Sequence, residues 1–372
     1  MDLPNENDPL GDVDIHNATD VFDATDVYNA IYVPKFIFAG RLTRDFTILP
    51  SGKALIDVPG GEMLYSAAGL LVWEPDPAPG LVARVGEDYP QQWLEDFRRR
   101  GADITGIRVL PEAVDLRNFY VSSDKNPAEW SISTNEDPVT FYSRSGIPFP
   151  KELLGYRQLA KPLDSRTQLL PISLRQSDLP SEYLDATAAH LCPVDFLTHT
   201  LLPAVLRQAG FTTVTLDPSS GYMNPIFWDD IPTLLTGLTA FLPSEGEARS
   251  LFHGRSTDLW EIAEGLASYG CEMIVIKRGL NGVLVYEAAG KKRWEIPAYP
   301  VKRLNPSGAG SAFCGGFLAG YCRTYDPLEA ALYGSISASL TVEGNTPFYP
   351  IDVLPGLPEA RLEALRQTTR KR

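Results

Sequence analysis

Cysteine and histidine are scarce, with four of each in 372 residues, and no long apolar run occurs. Cys192, Cys271, Cys314 and Cys322 are scattered, without a Cys-x-x-Cys pair or metal-like spacing. That excludes a zinc module and a disulfide framework, and points to reduced thiols in a cytoplasmic protein. His16, His190, His199 and His253 lie far apart, with no serine or cysteine elbow nearby. Gly-x-Ser-x-Gly, His-Glu-x-x-His and Walker A patterns are absent, which sets aside serine-hydrolase, zinc-protease and P-loop chemistry. No segment is long and apolar enough for a membrane span, and the acidic start does not read as a secretion signal. A net charge of −14 argues against nucleic acid as the main partner. Lys and Arg are missing altogether from residues 1–34, which carry eight acids and the near-repeat Asn17-Ala-Thr-Asp-Val-Phe22, Asp23-Ala-Thr-Asp-Val-Tyr28. This segment is expected to be a flexible acidic tail.

With 44% hydrophobic residues the rest is globular. Phe36–Gly40, Ala54–Val58 and Leu81–Val85 read as strands, and Glu62–Trp73 and Pro90–Arg100 as helices, most of them bounded by Gly or Pro. The rhythm breaks at 115–150. There Leu116–Ser122, Glu129–Thr134 and Val139–Tyr142 read as short antiparallel strands of a small appended sheet. Alternation resumes with strands Ala188–Cys192, Thr212–Leu216, Ala240–Leu242 and Met273–Lys277 and helices Phe196–Gln208, Ile231–Thr239 and Asp258–Ser268. A hairpin follows (Gly282–Tyr286, Lys292–Ile296), then helices over 308–324 and 326–342. Alternating strands and helices predict a mostly parallel sheet covered on both faces. The expected organisation is a 1–34 tail, an α/β domain over 35–350, and a 351–372 C-terminal extension with a helix.

The stretch Asn305-Pro-Ser-Gly-Ala-Gly-Ser-Ala-Phe313 concentrates the chemistry. Gly308, Ala309 and Gly310 open directly into a helix, so consecutive backbone amides can face a phosphate or oxyanion. The stretch resembles the second signature of the PfkB/ribokinase family of carbohydrate kinases, Asp-Thr-Thr-Gly-Ala-Gly-Asp-x-Phe. It departs at both aspartates: Asn305 replaces the first, and Ser311 the second, which is the family's catalytic base. The resemblance runs over about residues 36–345. It implies a ribokinase-like three-layer αβα sandwich with a small β lid from segments near 43–58 and 115–142. Asp45 falls where the family holds substrate hydroxyls, Gly60 and Gly61 on its Gly-Gly turn, and Tyr65 where it usually has asparagine. Glu247 keeps the acid of the Asn-x-x-Glu motif that supports a magnesium–water network, with Ser244 in place of asparagine. A helix-start reading, with Ser244 as cap, fits Glu247 equally well. Lys277, Gly279 and Gly282 match the strand–turn segment bordering the nucleotide. Tyr65, Gly334-Ser335 and the altered turn are also similar to the killer-maintenance branch.

The resemblance implies ATP and Mg2+ as cofactors, a sugar or nucleoside as acceptor, and a homodimer through the lid. A serine hydroxyl is not appreciably ionised near neutral pH, and general-base help is worth roughly 10²–10⁴ in rate. Two expectations follow. One is a binding protein derived from a kinase, favoured by the departures at Tyr65, Ser244, Asn305 and Ser311. The other is an active kinase with a substitute carboxylate such as Asp45.

Overall fold

Along β1 (Phe36–Ala39), Phe36 and Phe38 enter one hydrophobic core, while Ile37 and Ala39 enter a second on the opposite face. A strand buried on both sides requires a covering layer on each. The computed structural model describes residues 33–121, 137–157 and 164–370. From β1, parallel neighbours β4 (Gly80–Val85) and β5 (Asp103–Val109) extend one way. In the other direction run β7 (Ala188–Leu191), β8 (Thr213–Leu216), β9 (Ala240–Phe241) and β10 (Met273–Lys277), also parallel. Antiparallel β11 (Val283–Glu287) and β12 (Lys292–Ile296) complete a nine-stranded sheet. One face carries α1 (Glu62–Leu71), α2 (Gln91–Arg99), α8 (Ala309–Thr324), α9 (Pro327–Thr341) and α10 (Leu357–Arg370). The other carries α4 (Phe196–Gln208), α5 (Ile231–Leu235), α6 (Glu245–Leu251) and α7 (Leu259–Ala267). The three-layer sandwich expected from the sequence is therefore present.

A second sheet, ordered β3 (Ala54–Gly60), β2 (Thr43–Ile48), β6 (Arg117–Val121), departs from the main one just after β1. Phe46, Ile48 and Phe119 share a small core with Phe141 and Tyr142 of α3 (Pro138–Ser145). Two expectations are corrected here. Val139–Tyr142 is helical, because Asp137 accepts from the Thr140 amide at 2.9 Å and Pro138 occupies the first turn. Cap chemistry outweighs the strand preference of Val, Phe and Tyr. β6, within the 116–122 run, pairs parallel to β2, whereas β3 pairs antiparallel to it. Residues Glu129–Thr134 and the acidic 1–32 segment lie outside the described residues. β5 went unread in the sequence because, as a half-exposed edge strand, it lacks an apolar run.

Helix α10 packs onto the domain's core. Leu362 and Leu365 of α10 are buried in the cluster that includes α8 and α9. Among the described residues, no helix is long and apolar enough to cross a membrane.

Candidate active site

α8 starts on a turn that only glycine takes easily. Gly308, its N-cap, has φ of 76°, in the left-handed region. A Cβ there would also stand 2.1 Å from Cδ1 of Tyr65, so the ring of this α1 residue packs directly against the turn. Upstream, Asn305 Oδ1 accepts from the Ser307 amide (3.0 Å), and the Asn305 amide donates to the Val342 carbonyl (3.1 Å), tying the turn to the end of α9. The Ala309 amide reaches Pro306 O at 3.4 Å and the Ala312 amide reaches Gly308 O at 2.8 Å. Between them, the amides of Gly310 and Ser311 have no such backbone acceptor among the described residues. Two first-turn donors at the positive end of a helix are thus left for something else. Ser311 itself is 6% exposed.

On one side of the turn lies a cavity of about 770 Å³, bounded by Ala309, Gly310, Lys277, Gly279 and Gly282. Ser335 and Ala338 of α9 supply a wall of small side chains. Lys277, at the end of β10, places Nζ 2.5 Å from Asp217 Oδ2 and 3.5 Å from Cys314 Sγ. Burial pushes the Asp217 carboxyl up to about 7, against the pull of the Lys277 ammonium. Desolvation opposes the charge on Lys277, but the neighbouring carboxylates of Asp217 and Glu247 hold it above its ordinary value. Burial keeps the Cys314 thiol well above its usual range, hence neutral.

Gly310 carries no such conformational demand. It sits inside α8, and a Cβ on it would meet Lys277 Nζ at 3.7 Å, an ordinary contact. The conformational demand falls on Gly308.

Asp45 lies on β2, close enough to Tyr65 to act on its phenol. A Cβ on Gly60 would overlap its Oδ2 at 2.0 Å, so the absence of a side chain there admits the carboxylate. Thr43 Oγ1 donates to Asp45 Oδ1 at 2.7 Å. Burial, with help from the charge of Glu62, pushes Asp45 up to about 7 although Thr43 and Asn118 hydrogen-bond to it. Burial and then the Asp45 charge raise the phenols of Tyr65, Tyr89 and Tyr120. Gly61 (φ 105°) caps α1. Asp45 is thus packed on Gly60, and Tyr65 on the α8 turn, while Lys277, Gly279 and Gly282 line the cavity with Ala309 and Gly310.

A family model for pfkB family carbohydrate kinases matches residues 181–351. A 5-dehydro-2-deoxygluconokinase from Shouchella clausii is 30% identical over 270 residues, covering 72% of this chain and 76% of the relative. The chain belongs to the PfkB family. A cytidine kinase from Thermococcus kodakarensis is 28% identical over 301 residues, 79% of this chain and 90% of that protein. The fold is shared with aminoimidazole riboside kinase from Salmonella enterica, solved with aminoimidazole riboside and an ATP analogue. That match has a TM-score of 0.61 at 16% identity, over 88% of this chain and 99% of that one.

Within this PfkB chain, Glu247 closes a capping box: its Oε2 accepts from the Ser244 amide (2.8 Å) and hydroxyl (2.7 Å). The helix-start reading therefore describes Glu247 and Ser244 as they stand. Among the described residues, no three His, Cys, Asp or Glu side chains converge as metal ligands. Sequence reasoning missed Asp217 and Cys314 as partners of Lys277. The available signal for Asp217 was an acid followed by proline at the carboxyl end of a central strand, where open α/β sheets bind ligands.

Proposed function

We propose that this chain binds ATP in the 770 Å³ cavity and a sugar or nucleoside beside Asp45, and that phosphoryl transfer is impaired because Ser311 stands in the place of the base. The observation that carries this is a nucleotide-sized cavity with Ala309 and Gly310 of the α8 N-terminus and the Lys277 cation in its wall, where the Gly310 amide has no backbone acceptor among the described residues. Amides at a helix N-terminus and a lysine suit a triphosphate. Bound ATP would supply the phosphoryl group, and Mg2+ would neutralise charge on its oxygens. Magnesium is commonly held by phosphates and waters with one or two carboxylates, so the sparse acidic complement fits it. Glu247 would act on it through the oxygen that the capping box does not use.

A second reading, an active sugar or nucleoside kinase, is favoured by Asp45. A carboxyl pushed up to about 7 is matched to proton transfer near neutral pH, and the relatives carry kinase names. Calorimetric titration with ATP–Mg2+, followed by ADP release across a panel of sugars and nucleosides, separates the two. Binding without turnover supports the first reading. Turnover near the ~10 s⁻¹ typical of enzymes overturns it. No ATP binding at all removes both.

A further inference from the structure

We propose that the C-terminal helix α10 sets the width of the base-binding end of the cavity, with Arg361 as the positioning residue. The proposal rests on the reading of this cavity as a nucleotide site. Arg361 touches two walls at once from outside. Its guanidinium donates to Ser339 Oγ on α9 at 3.3 Å, and its Cζ lies 5.4 Å from the ring centroid of Tyr299, on the segment after β12. Ser339 and Tyr299 both line the cavity, from different elements. A second nitrogen of Arg361 pairs with Glu343 Oε2 at 2.8 Å, and the side chain is only 12% exposed. Ser339 Oγ donates to the Ile336 carbonyl at 2.7 Å, which leaves its lone pairs for Arg361.

A planar guanidinium can fork to a hydroxyl and a carboxylate while presenting its face to an aromatic ring, a combination the point charge of lysine cannot reproduce. A planar base gains dispersion only while both walls remain in contact, and a gap of ~0.5–1 Å forfeits a quarter to a half of that attraction. The phosphate end depends on other groups, the α8 turn and Lys277. The docking of α10 is also secured elsewhere. Arg366 forks onto Glu329 at 2.9 and 2.6 Å, and Leu362 and Leu365 are buried. Loss of the Arg361 clip should therefore open the base end while the helix stays in place.

The test compares ATP with inorganic tripolyphosphate, which lacks base and ribose, by calorimetric titration of the full chain. Arg361→Ala should weaken ATP about tenfold, the scale of one lost charge-assisted contact, and leave tripolyphosphate unchanged. Arg361→Lys should fall between wild type and Arg361→Ala, and Arg366→Ala should change neither ligand. Equal weakening of ATP and tripolyphosphate by Arg361→Ala, no effect on ATP, or the same pattern from Arg366→Ala would each overturn the proposal. A wild type that binds tripolyphosphate but not ATP would instead overturn the nucleotide reading on which it stands.

Discussion

The Lys277 ammonium lies 2.5 Å from Asp217 Oδ2, and both groups reach Cys314 Sγ at 3.5 Å. Strand β8 brings the acid, β10 the lysine and α8 the thiol, so three elements are joined by one charged contact at the head of the cavity. Removing one member of a buried ion pair strands the other, at a cost of about 3–5 kcal/mol, whereas replacing both by apolar groups costs far less. Asp217→Leu and Lys277→Met are each expected to destabilise on that scale, and the double variant by less than their sum. Denaturant unfolding of the four proteins measures the coupling. Additive losses would show that the two side chains stand independently.

The two glycines of the α8 turn should respond differently. Gly308→Ala demands a left-handed angle and drives a methyl into the Tyr65 ring, so a loss of roughly 2–4 kcal/mol in stability is expected, with weakened ATP binding. Gly310→Ala meets only the end of Lys277, and should fold normally. Thermal unfolding and ATP titration of both variants check the contrast, and equal losses would contradict it.

Ser311→Asp restores a carboxylate at the third residue of α8, where the helix dipole also favours negative charge. With a suitable acceptor, ADP release should rise by roughly 10²–10⁴ over wild type. Asn305→Asp should do much less, because Asn305 shapes the turn through its bond to the Ser307 amide. A wild type already as fast as Ser311→Asp would direct attention to Asp45 as the base.

Asp45 makes a pH prediction. Its folded-state value of about 7 lies above the ordinary aspartate value of about 4. The folded chain therefore holds this proton more tightly than the unfolded chain. The stabilisation is complete below about pH 4 and is lost as pH rises through about 7. Asp45→Asn, a neutral mimic of the protonated acid, should match wild type near pH 4, exceed it in stability at pH 8, and show a shallower decline between. Chemical denaturation across that range measures it, and parallel profiles would refute the assignment.

The amino-acid sequence by itself determined the layered architecture. Apolar strands such as Phe36–Ala39, buried on both faces, alternate with helices bounded by Gly, Pro and Asp caps, and this pattern admits few solutions. It also displayed the Gly308–Gly310 turn, because a helix opening on small residues is a local feature. Hydrophobic periodicity reports that a residue is buried, not which residue faces it. The partnership of Asp217 with Lys277 across 60 residues, and with Cys314 across 97, was therefore decided only by tertiary packing. The same holds for the Tyr65 ring against Gly308 and for Arg361 spanning Tyr299 and Ser339. At Pro138–Ser145 the local signals conflicted, and the cap from Asp137, together with burial of Phe141 and Tyr142 against Phe119, favoured helix over strand. Apart from the Asp137 cap, each of these contacts joins segments separated in the chain, and only the folded sheet and its flanking helices bring them within reach.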